Sequence, residues 1–299
     1  MAWKMARSTV IFILVVILFI FILLLPKELE INWHGGQKFD AEYPFTFELY
    51  KENINEFITH FQTEKGFGTT TAGTPLTEHI ERYLKRSLKI VLPAFLLSMV
   101  LGTSIGMLLF YVRNKKSGRI FSFFSWTIAS IPDFFLYISV QYILIKAMHN
   151  GFLKFNLFNS DDWYSFIIPC ISVTLFPLFH MVKVTALAME NEVGEDYVRT
   201  AQSKGLTKKR VISHMFWNAW TSIVNQSHMI MLYILSSLPI IEKLSNYHGA
   251  GYQFLESILN HDNVLALLFF LPFLLLMYAV VLIAQFARER LLPKDVGSV

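Results

Sequence analysis

The chain has 299 residues, 54% of them hydrophobic and 16% charged, with a formal net charge of +4 and a positive mean hydropathy. That balance excludes an ordinary water-soluble globule and points to an integral membrane protein. No compact basic region suggests nucleic acid. The single cysteine, Cys170, excludes an intrachain disulfide and a cysteine-built metal site.

In chain order, residues 10–25 are almost wholly apolar and follow Lys4 and Arg7. The run Leu24-Leu25-Pro26-Lys27-Glu28 offers no small-residue cleavage site. Residues 1–26 therefore read as an uncleaved first membrane helix rather than a leader. Residues 27–86 are polar and aromatic and read as a long extracytoplasmic loop, too poor in apolar residues for a core of its own. Within it, residues 47–61 suit an amphipathic helix and residues 66–75 a turn-rich link. Leu76, Ile80, Leu84 and Leu88 recur every four residues, as in an interfacial helix.

Five more apolar spans follow, at about residues 89–112, 121–145, 164–182, 222–241 and 264–286. They lie in a core of residues 87–290, followed by a tail of residues 291–299. At ~1.5 Å per residue, each is long enough to cross a hydrocarbon layer of about 30 Å. The expected architecture is an all-α integral membrane protein with six transmembrane helices.

Lysine and arginine set its orientation. Lys4 and Arg7, Arg113 to Arg119, Lys183 to Arg210, and Arg288 to Lys294 fall on one side, against only Lys146, Lys154 and Lys243 in the short loops of the other. Both termini and the loop of residues 190–220 are thus expected in the cytoplasm.

That loop has helical grammar. Val193, Tyr197, Val198 and Ala201 fall near one face, with Glu192, Glu195 and Asp196 early and Lys204 and Gly205 as a cationic end and a stop. A second helical run follows, with Val211, Ile212, Met215 and Phe216 apolar and Lys208, Lys209 and Arg210 basic. A helix–glycine–helix knob of this kind could be gripped by a cytosolic partner. By pattern alone, an amphipathic hairpin resting on lipid headgroups fits equally well.

Inside the membrane, Pro93, Pro132, Pro169, Pro177, Pro239 and Pro272 fall in the spans, as suits kinked helices around a pathway and also any helical bundle. Ser98, Gly102 and Gly106 repeat at four-residue spacing and permit close helix approach. Asp133, expected about twelve residues into the third span and so roughly 18 Å deep, is the informative charge. It could meet a cationic substrate group or pair with a neighbouring helix. Asn225, Gln226, Ser227 and His228 form a second polar cluster, whose simpler use is interhelical hydrogen bonding. The nine histidines show no zinc-hydrolase spacing, and no phosphate-binding loop occurs. Any ATP must be handled by another subunit.

The pattern resembles the permease subunits of ATP-binding-cassette importers, in the dipeptide/oligopeptide/nickel group. The resemblance is most specific at Glu195-Asp196-Tyr197-Val198-Arg199-Thr200-Ala201-Gln202-Ser203-Lys204-Gly205-Leu206, which is similar to that group's EAA loop, with Asn218-Ala219 after it. Further likenesses are Gly66-Phe67-Gly68 with Pro75-Leu76-Thr77, Ser130-Ile131-Pro132-Asp133-Phe134, and Ile241-Glu242-Lys243-Leu244 through Gly249-Ala250-Gly251. Together they run from Gly66 to Phe286. The chain departs from the group at Asp133, Lys183, Ala186 and Phe67, and at Leu292-Pro293-Lys294-Asp295 near the C-terminus.

The resemblance implies a peptide-importing subunit of a bacterial cytoplasmic membrane, working by alternating access. It implies no catalytic residue and no cofactor or metal in this chain, with ATP and magnesium on partner ATPase subunits. The docking residues would be Glu195, Asp196, Tyr197, Val198, Arg199, Thr200, Ala201, Lys204, Gly205 and Leu206. The pathway would include Pro132, Asp133, Asn225 and His228. A second permease subunit and an extracytoplasmic solute-binding protein complete the partners, besides the lipid bilayer. Nickel or a metal chelate is the alternative cargo, and a non-transporting sensor or assembly subunit is the alternative from another class.

Overall fold

The computed structural model describes residues 2–26, 30–33, 39–42, 45–64, 67–69, 73, 75–128, 130–151 and 162–291. Gly66, Lys154 and the Leu292-Pro293-Lys294-Asp295 motif lie outside these residues. Helix α1 (Ala2–Leu23) leads to a small antiparallel ribbon, β1 (Glu30–Trp33) paired with β2 (Phe39–Glu42) in the register Glu30 to Glu42. Helices α2 (Phe47–Thr63), α3 (Leu76–Val112), α4 (Lys116–Ile128), α5 (Asp133–His149) and α6 (Ile167–Asn191) follow. A single 3₁₀ turn, Glu192–Gly194, precedes α7 (Asp196–Ser203), α8 (Lys208–Asn225), α9 (Ser227–Leu244), α10 (Ala250–Leu259) and α11 (Asn263–Leu291).

Among the described residues, five stretches are long and apolar enough to cross a membrane: Met5–Leu23, Leu76–Val112, Ile167–Gly194, Lys208–Leu244 and Asn263–Glu289. They hold five of the six expected spans. The third is different. Residues 121–145 do not form one helix, because the chain breaks between α4 and α5 at Ser130-Ile131-Pro132. Proline has no N–H to continue the ladder, and its ring pushes the preceding residue out of helical geometry. Pro132 itself is extended (φ −58°, ψ 139°) and caps α5. Asp133 is therefore the first residue of a new helix, not the midpoint of a continuous one.

Three other boundaries move. The expected interfacial helix around Leu76–Leu88 is the start of α3, whose 37 residues run roughly 55 Å without a break at residue 86. Helix α6 continues past Val182 to Asn191, and Pro169 falls in its first turn, where a missing N–H is harmless. The fifth span is two helices that meet at Gln226, inside the polar cluster.

The core forms where α3 meets α6. Ser98, Thr103, Gly102 and Gly106 are buried along one stripe of α3. A Cβ on Gly102 would sit 2.6 Å from that of Met181, and one on Gly106 2.6 Å from that of Thr185 and 2.7 Å from the Val182 carbonyl. The small-residue spacing thus marks a real backbone-to-backbone approach. Cys170 is buried and its Sγ lies 3.7 Å from the Ile90 carbonyl. Ile90, Val91, Met181, Ile230, Ile234 and Leu238 continue the core into α9.

The N-terminal segments join this body rather than standing apart. Helix α1 lies on α11, with Thr9 and Tyr278 hydroxyls 2.7 Å apart and the Gln285 amide donating to Ser8 at 2.6 Å. Helix α2 is amphipathic as expected, capped by Thr46, and its Phe57 and Phe61 pack on Leu23, Ala266 and Leu267.

Candidate functional site: a loop knob, a carboxyl clasp and an interrupted helix

The segment of residues 190–220 folds as a knob. Glu195 is extended and starts α7, and the helix ends in a Schellman motif at a left-handed glycine. Gly205 (φ +72°) donates to the Gln202 carbonyl at 2.9 Å, and Leu206 donates to that of Ala201 at 3.2 Å. Thr207 then begins α8. The Tyr197 hydroxyl donates to Glu192 Oε2 at 2.5 Å and also meets the side chain of Asn218. Burial pushes the Tyr197 phenol up to about 12, the Glu192 contact adds to the rise, and Asn218 opposes it. At neutral pH the hydroxyl is therefore a donor. This linkage gives the Asn218-Ala219 pair a physical reason: Asn218 reaches back to α7, while buried Ala219 lets α8 pack closely.

The apolar face of α7 is already covered. Val198 and Ala201 are buried against this chain's own Val211, Met215 and Ala219, with Leu206 and Tyr197 packed beside them. Of the ten expected docking residues, Val198 and Ala201 are thus buried within this chain. An eight-residue helix cannot hold its shape unless its apolar stripe is packed. Glu195, Asp196, Arg199, Thr200, Lys204 and Gly205 are exposed and form its outer surface. Arg199 and Asp196 approach to 3.5 Å there, an exposed pair of little energetic weight. A cavity of about 340 Å³ lies behind the knob, between the end of α3 and α8, lined by Phe110, Arg113, Val198, Leu206, Lys208 and Met215. The Arg113 guanidinium stacks 4.2 Å from the Phe110 ring centroid.

Glu242, noted in sequence only as part of a motif, proves to be a fully buried clasp. The Ser87 hydroxyl of α3 donates to its Oε1 at 2.6 Å, and the Tyr252 N–H donates to its Oε2 at 2.8 Å, with the Gly251 N–H alongside. Ser87 in turn accepts the Ala250 N–H at 2.7 Å. Glu242 and Ser87 together thus satisfy the first N–H groups of α10 and tie α3, α9 and α10 together. Space at the glycines is short: a Cβ on Gly249 would lie 2.3 Å from Glu242 Oε1 and displace the carboxyl group, while one on Gly251 would come within 3.1 Å of Oε2. A lone glutamate closing an apolar run, followed by Gly-x-Gly at a helix start, is the signal that would have found it.

The break between α4 and α5 opens a second cavity, of about 260 Å³. Ser130, Pro132 and Asp133 form one wall; Phe176 of α6 and Tyr233 and Ser236 of α9 form the others. Asp133 Oδ1 accepts the Phe134 N–H at 2.8 Å. The Phe176 and Tyr233 rings meet edge to face at 4.8 Å, and His180 flanks Tyr233 at 5.2 Å. Of the four expected pathway residues, Pro132 and Asp133 share this cavity. Asn225, exposed, and His228, half-buried, do not line it; they flank the break at Gln226. Phe176, Tyr233 and Ser236 went unnoticed in sequence, since aromatic and serine residues in apolar spans carry no signal of their own. Among the described residues no group of three or more His, Cys, Asp or Glu could hold a metal.

Comparison with known proteins agrees with this architecture. The family model described as binding-protein-dependent transport system inner membrane component matches residues 88–294. The glutathione transport system permease protein GsiC of Salmonella typhi is 24% identical over 280 residues, covering 88% of this chain and 89% of that protein. A Brucella abortus protein, named as a candidate peptide transport system permease, is 25% identical over 211 residues, covering 69% of this chain and 66% of that protein. A chain of the methionine ABC transporter MetNI, solved in inward-facing conformations, shares the fold, with a TM-score of 0.55 at 16% identity over 73% of this chain and 99% of that one. The chain therefore belongs to the binding-protein-dependent transport system inner membrane component family, as a permease subunit of an ABC importer.

Proposed function

We propose that this subunit imports short peptides across a bacterial cytoplasmic membrane, with ATP hydrolysed on separate ATPase subunits that hold the nucleotide and magnesium. The names of its relatives support peptide cargo: one moves glutathione, itself a tripeptide, and another is a candidate peptide permease. Nothing comparable favours nickel. Counting α4 and α5 as one interrupted crossing gives six spans, and the lysine and arginine distribution puts both termini and the knob in the cytoplasm. A second permease subunit and a solute-binding protein that delivers cargo from outside complete the assembly.

The observation that carries this reading is the knob itself. Its apolar face is locked onto its own bundle, while Glu195, Asp196, Arg199, Thr200 and Lys204 are offered outward. A partner gripping that polar surface moves a rigid element continuous with α8, and through it the membrane helices. Charge reversal of Arg199 and Lys204 together tests it. Expected are normal membrane insertion, loss of ATPase co-purification and loss of peptide uptake. Full ATPase retention and uptake by the double variant would overturn the docking assignment. Competition of uptake by dipeptides but not by nickel checks the cargo.

A further inference from the structure

The cavity at the helix break has a composition that fits one kind of chemical group. Asp133, Phe176, Tyr233 and Ser236 line a space of about 260 Å³, with the Ser236 hydroxyl donating to the Tyr233 carbonyl at 3.0 Å and its oxygen left to accept. That volume suits part of a peptide rather than a whole one. We propose that Asp133, with Phe176 and Tyr233, forms a subsite that holds the protonated amine of a passing substrate. The assignment rests on the peptide-import reading above and names what that pathway grips.

Three physical arguments lead to an ammonium group. A carboxylate favours a positive partner, and attraction between opposite charges grows as an arriving substrate displaces water from around them. Aromatic faces attract cations through their quadrupoles and repel anions. Serine oxygens can accept from an N–H that the carboxylate leaves over. The bland use of Asp133 is to start α5, where an acidic residue complements the helix dipole. That use accounts for the Oδ1 contact with the Phe134 N–H, but it needs neither aromatic walls nor a cavity. The start of a helix repels cations, so a cation-binding role has to come from the side chain itself. Glutamate or asparagine in the first turn would start α5 as well, so helix starting alone does not require this carboxylate.

The cavity's position also fits. Ser130, Ile131 and Pro132 are non-helical and border the cavity. The same break that frees these backbone groups turns the first residue of α5 toward α6 and α9, the helices that supply Phe176, Tyr233 and Ser236. Two sources of amine share this chemistry: the amino terminus of a peptide and the side chain of a lysine within it. The subsite is weak by construction, since one carboxyl group in an open cavity must release what it holds.

The test uses the complete importer, with its ATPase, second permease and binding protein, in proteoliposomes. Uptake of trialanine and of alanyl-lysyl-alanine is measured for wild type, Asp133→Asn, Asp133→Glu and Ser236→Lys, together with ATP hydrolysis stimulated by the loaded binding protein. Asn keeps the shape and the helix-starting oxygen and removes only the charge. Ser236 is exposed, so a lysine there is accommodated while adding a like charge opposite the amine.

Expected is a fall of about 10-fold or more in uptake with Asp133→Asn and with Ser236→Lys, in line with loss of a hydrogen bond to a charged group. Stimulated ATP hydrolysis stays within about twofold, and Asp133→Glu restores most of the uptake. Equal losses for both peptides assign the amino terminus; a loss confined to the lysine peptide assigns the side chain. Undiminished uptake of both peptides by Asp133→Asn overturns the proposal. So does a parallel fall in ATP hydrolysis that Asp133→Glu fails to restore, which would mark a structural aspartate. If wild type imports neither peptide, it is the peptide reading that fails, and the two failures are told apart.

Discussion

Helix α6 meets α3 on one side and the α4–α5 pair on the other, and the two contacts are opposites. Against α3 the backbones nearly touch: Gly102 and Gly106 leave room only for hydrogen, and Ser98 lies 3.5 Å from the Thr174 carbonyl. Against α4 and α5 the partner is broken, and the gap at Pro132 is lined by Phe176. Two faces of one helix therefore have different tasks. The α3 face is a scaffold in which any added atom must move backbone. The other face leaves a space that something else can enter. In a membrane, where lipid tails give helices no hydrophobic reason to associate, such contrasts in packing are the main source of rigidity and its absence.

That contrast can be broken at four points. The largest effect is expected at the clasp that fixes the scaffold's far end. Glu242→Ala strands buried N–H groups of α10 and the Ser87 hydroxyl, and should cost about 4 kcal/mol, seen as failure to accumulate or a sharply lowered melting temperature in detergent. Gly106→Leu should follow, at about 3 kcal/mol, because the side chain must wedge α3 from α6 where a Cβ already clashes with Thr185. The same substitution at exposed Ser104, on the opposite side of α3, should leave the melting temperature nearly unchanged; equal effects at both positions would remove the distinction between the faces.

Smaller effects belong to the knob and the break. Tyr197→Phe deletes the hydroxyl between Glu192 and Asn218 and should cost about 1 kcal/mol. Amide exchange should then rise across α7 and not across α3. Pro132→Ala should alter stability by less than about 1 kcal/mol, since the proline caps α5 and supports no core. Its consequence should lie in transport: if the alanine lets α4 run into α5, spin labels placed on the two helices move apart along one axis and uptake falls. Unchanged label distances would locate the cause of the break in packing rather than in the proline.

Much of this was legible in the sequence where a local rule decides the outcome. Hydrophobic length called for six spans, five of which are long apolar helices among the described residues, and the 37-residue reach of α3 concerned only where its polar start belonged. The Gly102–Gly106 spacing predicted close packing, although not its partner. The Lys204-Gly205 stop produced the left-handed turn that was expected. The third span was misread because hydropathy sums over residues 121–145 and is blind to a single missing N–H. Asp133 was likewise assigned a depth by counting along a helix that does not continue.

What covers the apolar face of α7 was not legible for a related reason. Periodicity showed that Tyr197, Val198 and Ala201 share a side, yet an apolar stripe carries no label for what covers it. Only the folded chain shows that α8 and the core take it, leaving the polar residues exposed. The clasp illustrates the same limit most clearly. Ser87, Glu242 and Ala250 come from three helices, up to 163 residues apart, and nothing local to any of them announces a hydrogen-bonded unit. The sequence by itself determined that this protein is a bundle of apolar helices with a helix–turn–helix knob between two of them, because those outcomes follow from hydrophobic length, capping and backbone freedom at single positions. Only tertiary structure decided which face of α7 is buried, where the third crossing breaks open and what Glu242 holds, because each of these depends on groups that meet only when distant helices pack.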